Sequence, residues 1–420
     1  MSGHRLWARV ASGAAAAAVA VAGLVTLAHG GSGHRPAAAP TTAPATAPAT
    51  GPALSGNRPP DATSARASVA TLDPRAILVW VPGRLPTGLA AAAVHTRGVA
   101  RAVGVVVGTA WLTGSATASG AVVDRPPHGL AIPVDVAGAD PVGYAGLMRN
   151  AADVMTTLGA PSAGILGASS AALRHLTRGG TLRFGRVLVR VRRTLPDAAV
   201  GDHELLVSRA TAASLGLTVL KFLLVLPKPG AGTAAVETRL RRLIPDGTRA
   251  LVAVADRVPF DRDSPNTLPP VFEKRAMGEF AARARPEGAL QIDPAWMADN
   301  IVTANVPILG RVTCNRAFVP QLRAALAEIV HRGLSRLIAP GDFAGCFAAR
   351  FVLRDPTQLI SHHAWGSAVD LNASRNRFGA APTQDPRLVA VFASFGFQWG
   401  GSWLIPDGMH FEFRRFPRAG

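Results

Sequence analysis

The sequence predicts an α+β protein in two globular parts, and three observations carry that expectation. Short β-branched runs alternate with helical stretches up to about residue 260, a proline-rich segment follows, and helix and strand patterns resume beyond it. A chain of 420 residues is long enough for two domains of ordinary size, each burying its own core. Hydrophobic residues make up 48% of the chain, but much of that is alanine beside 43 glycines and 33 prolines. Only one apolar run is long enough to span a bilayer, which excludes a polytopic membrane protein of the helical kind.

That run, residues 10–28, is free of charge and follows Arg5 and Arg9. This is the layout of a signal peptide or an uncleaved N-terminal membrane anchor, and residues 1–29 are read as one or the other, with retention preferred over cleavage after Ala28. Export follows either way. Residues 30–67 are Pro/Ala/Thr-rich and cannot pack a core, so they read as a linker. Fully extended at roughly 3.1 Å per residue, it would reach on the order of 90 Å. The formal charge of +18, with Lys and Arg at 44, suits a polyanionic neighbour. For an exported chain that means anionic wall polymers or lipid heads and not nucleic acid, although the arginine content follows equally from a high-GC genome. The two cysteines, Cys314 and Cys346, suggest one disulfide in an oxidising compartment, with two buried thiols as the alternative.

Residues 68–260 form the first expected α+β domain. The runs AILVWV at 76–81, GVVVGTAWL at 104–112 and KFLLVL at 221–226 read as strands. RVLVRVRR at 186–193 alternates apolar and basic residues, as a half-buried strand does when it shows arginine to solvent. Helices are expected at 233–244 and over part of 201–215. The succession GGTLRFG, a strand, then LPDAAVGDHELLV resembles the extracytoplasmic core domains of bacterial transporter permeases. The segment carries no paired carboxylates, metal-spaced histidines or nucleophile motif. A hinge at 261–271, containing RDSPNTLPP, precedes the second domain at 272–420. In it, Phe318, Leu322, Leu326 and Ile329 share one face of a helix within 315–334, and His331 suits the helix C-terminus as a cation.

The chemistry is concentrated in SHHAWGSAVDLN at 361–372 and WGGSWLIPDGMHFEF at 399–413. Hydrolytic zinc takes three nitrogen or oxygen ligands from the protein and keeps a fourth position for water, whose acidity it raises. His363, Asp370 and His410 can supply those ligands. Gly366 and Ala368 are small residues where the chain must turn near the metal, and VDLN reads as a core strand carrying Asp370. His410 and Glu412 stand two apart, as on one strand face, and the PDG turn can aim Asp407 at the attacking water as general base and then acid.

The pattern S-x-H-x-x-G-x-A-x-D followed by D-x-x-H resembles the zinc peptidase family of D-alanyl-D-alanine carboxypeptidases and phage L-alanyl-D-glutamate endopeptidases. The resemblance spans roughly 272–416, with GEFAARA, VPILGRVTCNRAF and CFAARF in the family's order. It implies an α+β zinc peptidase domain with a small antiparallel sheet and helices, Zn2+ on His363, Asp370 and His410, and Asp407 as catalytic base. It further implies Arg350 as the arginine that meets substrate or oxyanion, and Ser361 on a position of the first motif that contacts substrate or only caps the turn. Peptidoglycan stem peptides are the implied substrates. Aspartate at 407 with MHFE around it, where the D,D-carboxypeptidase branch has glutamate and tryptophan, points to an internal bond such as L-Ala-D-Glu. The alternative is a zinc-holding protein that binds wall peptide or a partner without cutting. Beside these residues, His362 faces away if its segment is extended, Glu412 either orients His410 or pairs with Arg414 or Arg415, and Trp365, Trp399 and Trp403 read as core before groove.

Overall fold

The computed structural model describes residues 71–150, 152–255 and 267–416. The expected signal or anchor segment, the linker and most of the hinge lie outside the described residues, and among the described residues no helix is long and apolar enough to cross a membrane.

The architecture is mixed α/β. One sheet, ten-stranded among the described residues, occupies the first part, and its order begins Leu251–Val254, Ile77–Trp80, Leu220–Pro227, Val99–Leu112 and Ile132–Ala139. It continues through Leu205–Ser208, Ala163–Gly167, Val187–Leu195, Thr181–Phe184 and Gly114–Ala116. Pairing is antiparallel except between Leu205–Ser208 and Ile132–Ala139 and between Ala163–Gly167 and Val187–Leu195. The three expected strand runs fall in Ile77–Trp80, Val99–Leu112 and Leu220–Pro227. Ile77–Trp80 is buried throughout because it is flanked by strands on both edges and covered on both faces. In Val187–Leu195, Val189 and Val191 are buried while Leu188 and Arg190 are exposed, as period-two patterning requires, and the alternation breaks after Val191, where the pairing with Ala163–Gly167 shifts register and Arg193 is turned to the exposed side.

Beyond the hinge the sheets are small: hairpins Ala282–Ala284 with Leu290–Ile292 and Ile301–Val306 with Gly310–Asn315, then a three-stranded antiparallel sheet. In that last sheet His410–Phe413 lies between Ala368–Asp370 and Phe397–Trp399. The helix Val319–His331 buries Leu322, Leu326 and Ile329 completely, and Phe318 just before it. Each such side chain is worth about 1.5–3 kcal/mol of burial. His331 is exposed at its end and meets Glu328 at 3.4 Å.

The expected boundary is crossed by structure. Helix Pro270–Met277 begins inside the hinge segment, and Ala131 bridges Ala282 across it. Lys274, on that helix, donates to both oxygens of Glu204, at 3.0 and 2.8 Å, and to the Pro133 carbonyl. Arg174 reaches Glu204 at 3.2 Å and Glu279 at 2.7 Å, and none of its side chain is exposed. All described residues belong to one compact unit.

Candidate metal centre

Each expected ligand is set by a separate local device. Ser361 precedes the 3-10 turn His362–Trp365, and its hydroxyl accepts from the His363 N–H at 3.4 Å. Gly366 ends that turn at φ +68°, and a Cβ there would stand 2.6 Å from the Asn315 nitrogen, so both its conformation and its space demand glycine. The small residue thus serves the fit against strand Gly310–Asn315. His363 Nδ1 donates to the Cys346 carbonyl at 2.7 Å, which turns Nε2 towards the other ligands. Cys346 is bridged to Cys314 on that strand, the expected disulfide. Asp370 and His410 face each other directly across the antiparallel pair Ala368–Asp370 and His410–Phe413.

The three side chains converge. His363 Nε2 lies 3.2 Å from His410 Nδ1 and 3.2 Å from Asp370 Oδ2, and His410 Nδ1 lies 3.1 Å from Asp370 Oδ1. Zinc ligands held tetrahedrally at about 2.0–2.1 Å from the ion stand about 3.3 Å apart, so this His–Asp–His set fits a zinc ion in donor chemistry and in spacing. Burial opposes charge on Asp370, but the two histidines outweigh it and hold the carboxyl well below the usual range. Burial also opposes an imidazolium at His410, yet hydrogen bonds to Asp370 and Glu412 lift it to about 10.

Glu412 orients His410. Its Oε2 accepts from His410 Nε2 at 3.0 Å and also meets His362 Nδ1 at 3.0 Å. The pairing with Arg414 or Arg415 weighed from sequence is not the one made by this buried carboxylate. His362 also departs from expectation: the segment is a 3-10 turn and not extended, so His362 is buried beside Glu412 instead of facing outward. Glu273, on the helix after the hinge, belongs to the same buried group. Burial pushes it up to about 7, against the pull of His362. No sequence signal singles out Glu273, because its relation to 362 and 412 exists only in the fold.

Asp407 follows the loop 400–406, its N–H donating to the Gly400 carbonyl at 2.9 Å and its carbonyl accepting from the His410 N–H at 3.2 Å. Its Oδ1 is buried without a hydrogen-bond partner. Burial raises its pKa, with Asp370 adding to the rise and His410, His363 and Arg350 opposing it. Arg350 is tied through its carbonyl to the Ser361 N–H at 3.1 Å. Burial lowers its pKa while Asp370 and Asp407 favour its charge; a guanidinium stays protonated regardless. Asp407, Arg350, Ser361 and the three converging side chains all line one cavity of about 280 Å³. Of the tryptophans, Trp365 is core, Trp399 donates to the Gly408 carbonyl at 2.8 Å, and Trp403 lines the cavity with its ring 5.3 Å from that of His410.

Residues 354–413 match the family model described as D-alanyl-D-alanine carboxypeptidase. This part of the chain is peptidase-like. No curated protein matches the chain. Among solved structures, the periplasmic region of MacB from Actinobacillus actinomycetemcomitans is similar at 12% identity and a TM-score of 0.32, covering 44% of this chain and 91% of that one. The extracellular domain of the noncanonic ABC-type transporter YknZ from Gram-positive bacteria is similar at 15% identity and a TM-score of 0.29, covering 43% and 99%.

Proposed function

We propose that the chain is a zinc-dependent peptidase that hydrolyses peptide bonds in peptidoglycan stem peptides, acting outside the cytoplasm, either anchored through residues 1–29 or released to the wall. The reading retains two functional parts, the sheet-bearing part before the hinge and the peptidase part after it. One observation carries it: a His–Asp–His set at zinc spacing shares a cavity with a buried carboxylate that has an unpartnered oxygen.

His363, Asp370 and His410 would hold the ion. Bound there, zinc supplies an acidified water and polarises the scissile carbonyl. Asp407, its basicity raised by burial, takes the water proton and returns it to the leaving amine. Arg350 faces the charge that develops on the carbonyl oxygen. Glu412 keeps His410 in the tautomer that presents Nδ1. An internal bond such as L-Ala-D-Glu is favoured over D-Ala-D-Ala by the aspartate at 407. The non-catalytic alternative needs three ligands but has no use for a buried carboxylate at Asp407.

The test is incubation of the zinc-loaded full chain with purified peptidoglycan and mass spectrometry of released fragments. Cleavage by the native chain and its loss in Asp407→Ala supports the peptidase and names the bond. Stoichiometric zinc with no cleavage by either refutes it in favour of peptide binding.

A further inference from the structure

The cavity is not built from the peptidase part alone. Pro82 and Gly83, in the loop that leaves strand Ile77–Trp80 of the large sheet, line it together with Arg350, Leu353 and Asp407. The loop is fixed: Val81 and Leu85 are buried, and the Leu85 N–H donates to the Leu220 carbonyl at 3.0 Å.

The same sheet, with the segment that leads into its edge strand Leu251–Val254, braces two further walls. Lys221 Nζ donates at 3.0 Å to Gln358, itself a lining residue. Trp111, on strand Val99–Leu112, packs edge-on against Phe351 at 6.4 Å, next to Arg350. Arg249 Nη1 donates at 3.2 Å to the carbonyl of Leu404, between the lining residues Trp403 and Ile405 in the loop that leads to Asp407. Leu404 packs on the buried cluster that includes Leu78 and Trp80.

Between Phe351 and Gln358 the chain presents Leu353, which lines the cavity yet is 59% exposed. Leu353 and Arg354 have φ of 52° and 56° in succession, a left-handed conformation that is strained for residues other than glycine. Gly288 accommodates the kink, since a Cβ there would collide with the Arg354 carbonyl. A bulky apolar residue held at a cavity mouth by a costly backbone is placed for contact with something that enters.

We infer that the amino-terminal sheet is the second jaw of the peptide cleft: Pro82 and Gly83 form a substrate-selecting wall, and Lys221 and Arg249 are positioning residues for the loops that carry Leu353 and Trp403. The inference rests on the peptidase reading. It assigns the sheet-bearing part a role in choosing between a free stem peptide and one still joined to its glycan strand, whose extra bulk must pass this wall.

The test compares kcat/KM of the zinc-loaded full chain on a synthetic stem pentapeptide and on intact sacculi, for the native chain, Pro82→Ala, Pro82→Trp and Arg249→Met. Zinc content and the melting temperature of each variant are measured alongside. The wall predicts that Pro82→Trp lowers the ratio of sacculus to pentapeptide turnover by about tenfold, near 1.4 kcal/mol of discrimination, and that Pro82→Ala moves it the other way. Arg249→Met should raise KM for both substrates with zinc content unchanged. An active native chain whose Pro82 variants keep the native ratio overturns the inference and leaves the peptidase standing. A native chain inactive on both substrates overturns the peptidase reading and this inference with it.

Discussion

Replacing Glu412 by glutamine tests whether the buried carboxylate behind His410 tunes the metal site or only fills space. Glu412 is 1% exposed and accepts from His410 Nε2 at 3.0 Å. Burial opposes its charge, but His362 and His410 hold it at about 2, so it is ionised in the neutral range. Glutamine keeps the volume and an accepting oxygen but removes the negative charge that makes Nδ1 a stronger donor to a metal. Loss of such a partner typically costs 10–100-fold in metal affinity, about 1.4–2.7 kcal/mol. Competition with a chromophoric chelator on the full chain measures zinc affinity directly, and melting of the metal-free variant reports whether the fold is retained. Glu328→Gln, on the scaffold helix, is the control and should leave affinity unchanged. Native zinc affinity in a folded Glu412→Gln would refute the reasoning, because Glu412 would then act as packing alone.

Two further outcomes follow from the geometry. Glu279 is held at about 2 because Lys274 and Arg174 outweigh the cost of its burial. A carboxylate depressed from its ordinary value adds stability above about pH 4.5 and loses it as the pH falls towards 2. The full contribution is about 3 kcal/mol, of which about 2 is lost between neutrality and pH 3. Urea unfolding across that range should therefore be steeper in pH for the native chain than for Glu279→Gln, and equal slopes would rule the contribution out. Gly366→Ala combines a left-handed backbone with a Cβ forced onto the Asn315 nitrogen, so about 2–4 kcal/mol should be lost in chemical denaturation. An unchanged midpoint would show that the turn tolerates a side chain.

The elements that could be read in the sequence are those governed by local periodicity. The strand runs of the first part, the alternation around Val189 and Val191 and the helix face of Phe318, Leu322, Leu326 and Ile329 all follow from spacing two or three to four residues apart. The convergence of His363, Asp370 and His410 was legible because metal-binding chemistry restricts residue type, and His410 with Glu412 follows from strand alternation. His362 was misplaced because two adjacent histidines look alike until Ser361 and Gly366 bend their segment into a 3-10 turn. Glu273 and the charged cluster of Arg174, Glu204, Lys274 and Glu279 were hidden for another reason. Each residue is unremarkable in its own segment: Glu273 gains its place only from His362 and Glu412, distant in sequence but on its own side of the hinge, and the four charged residues gain theirs from partners across it. Nothing in their own segment sets Pro82 and Gly83 apart, since the cavity they line is completed by residues after the hinge.

The Cys314–Cys346 bridge has a consequence for when the chain becomes competent. The carbonyl that aims His363 belongs to one of the bridged residues. A chain whose thiols stay reduced keeps all three ligands but loses the covalent restraint on the group that turns the first of them inward. On the proposed zinc reading, a chain whose thiols stay reduced should bind the ion less firmly than the bridged one, so completion of the centre would be tied to an oxidising environment.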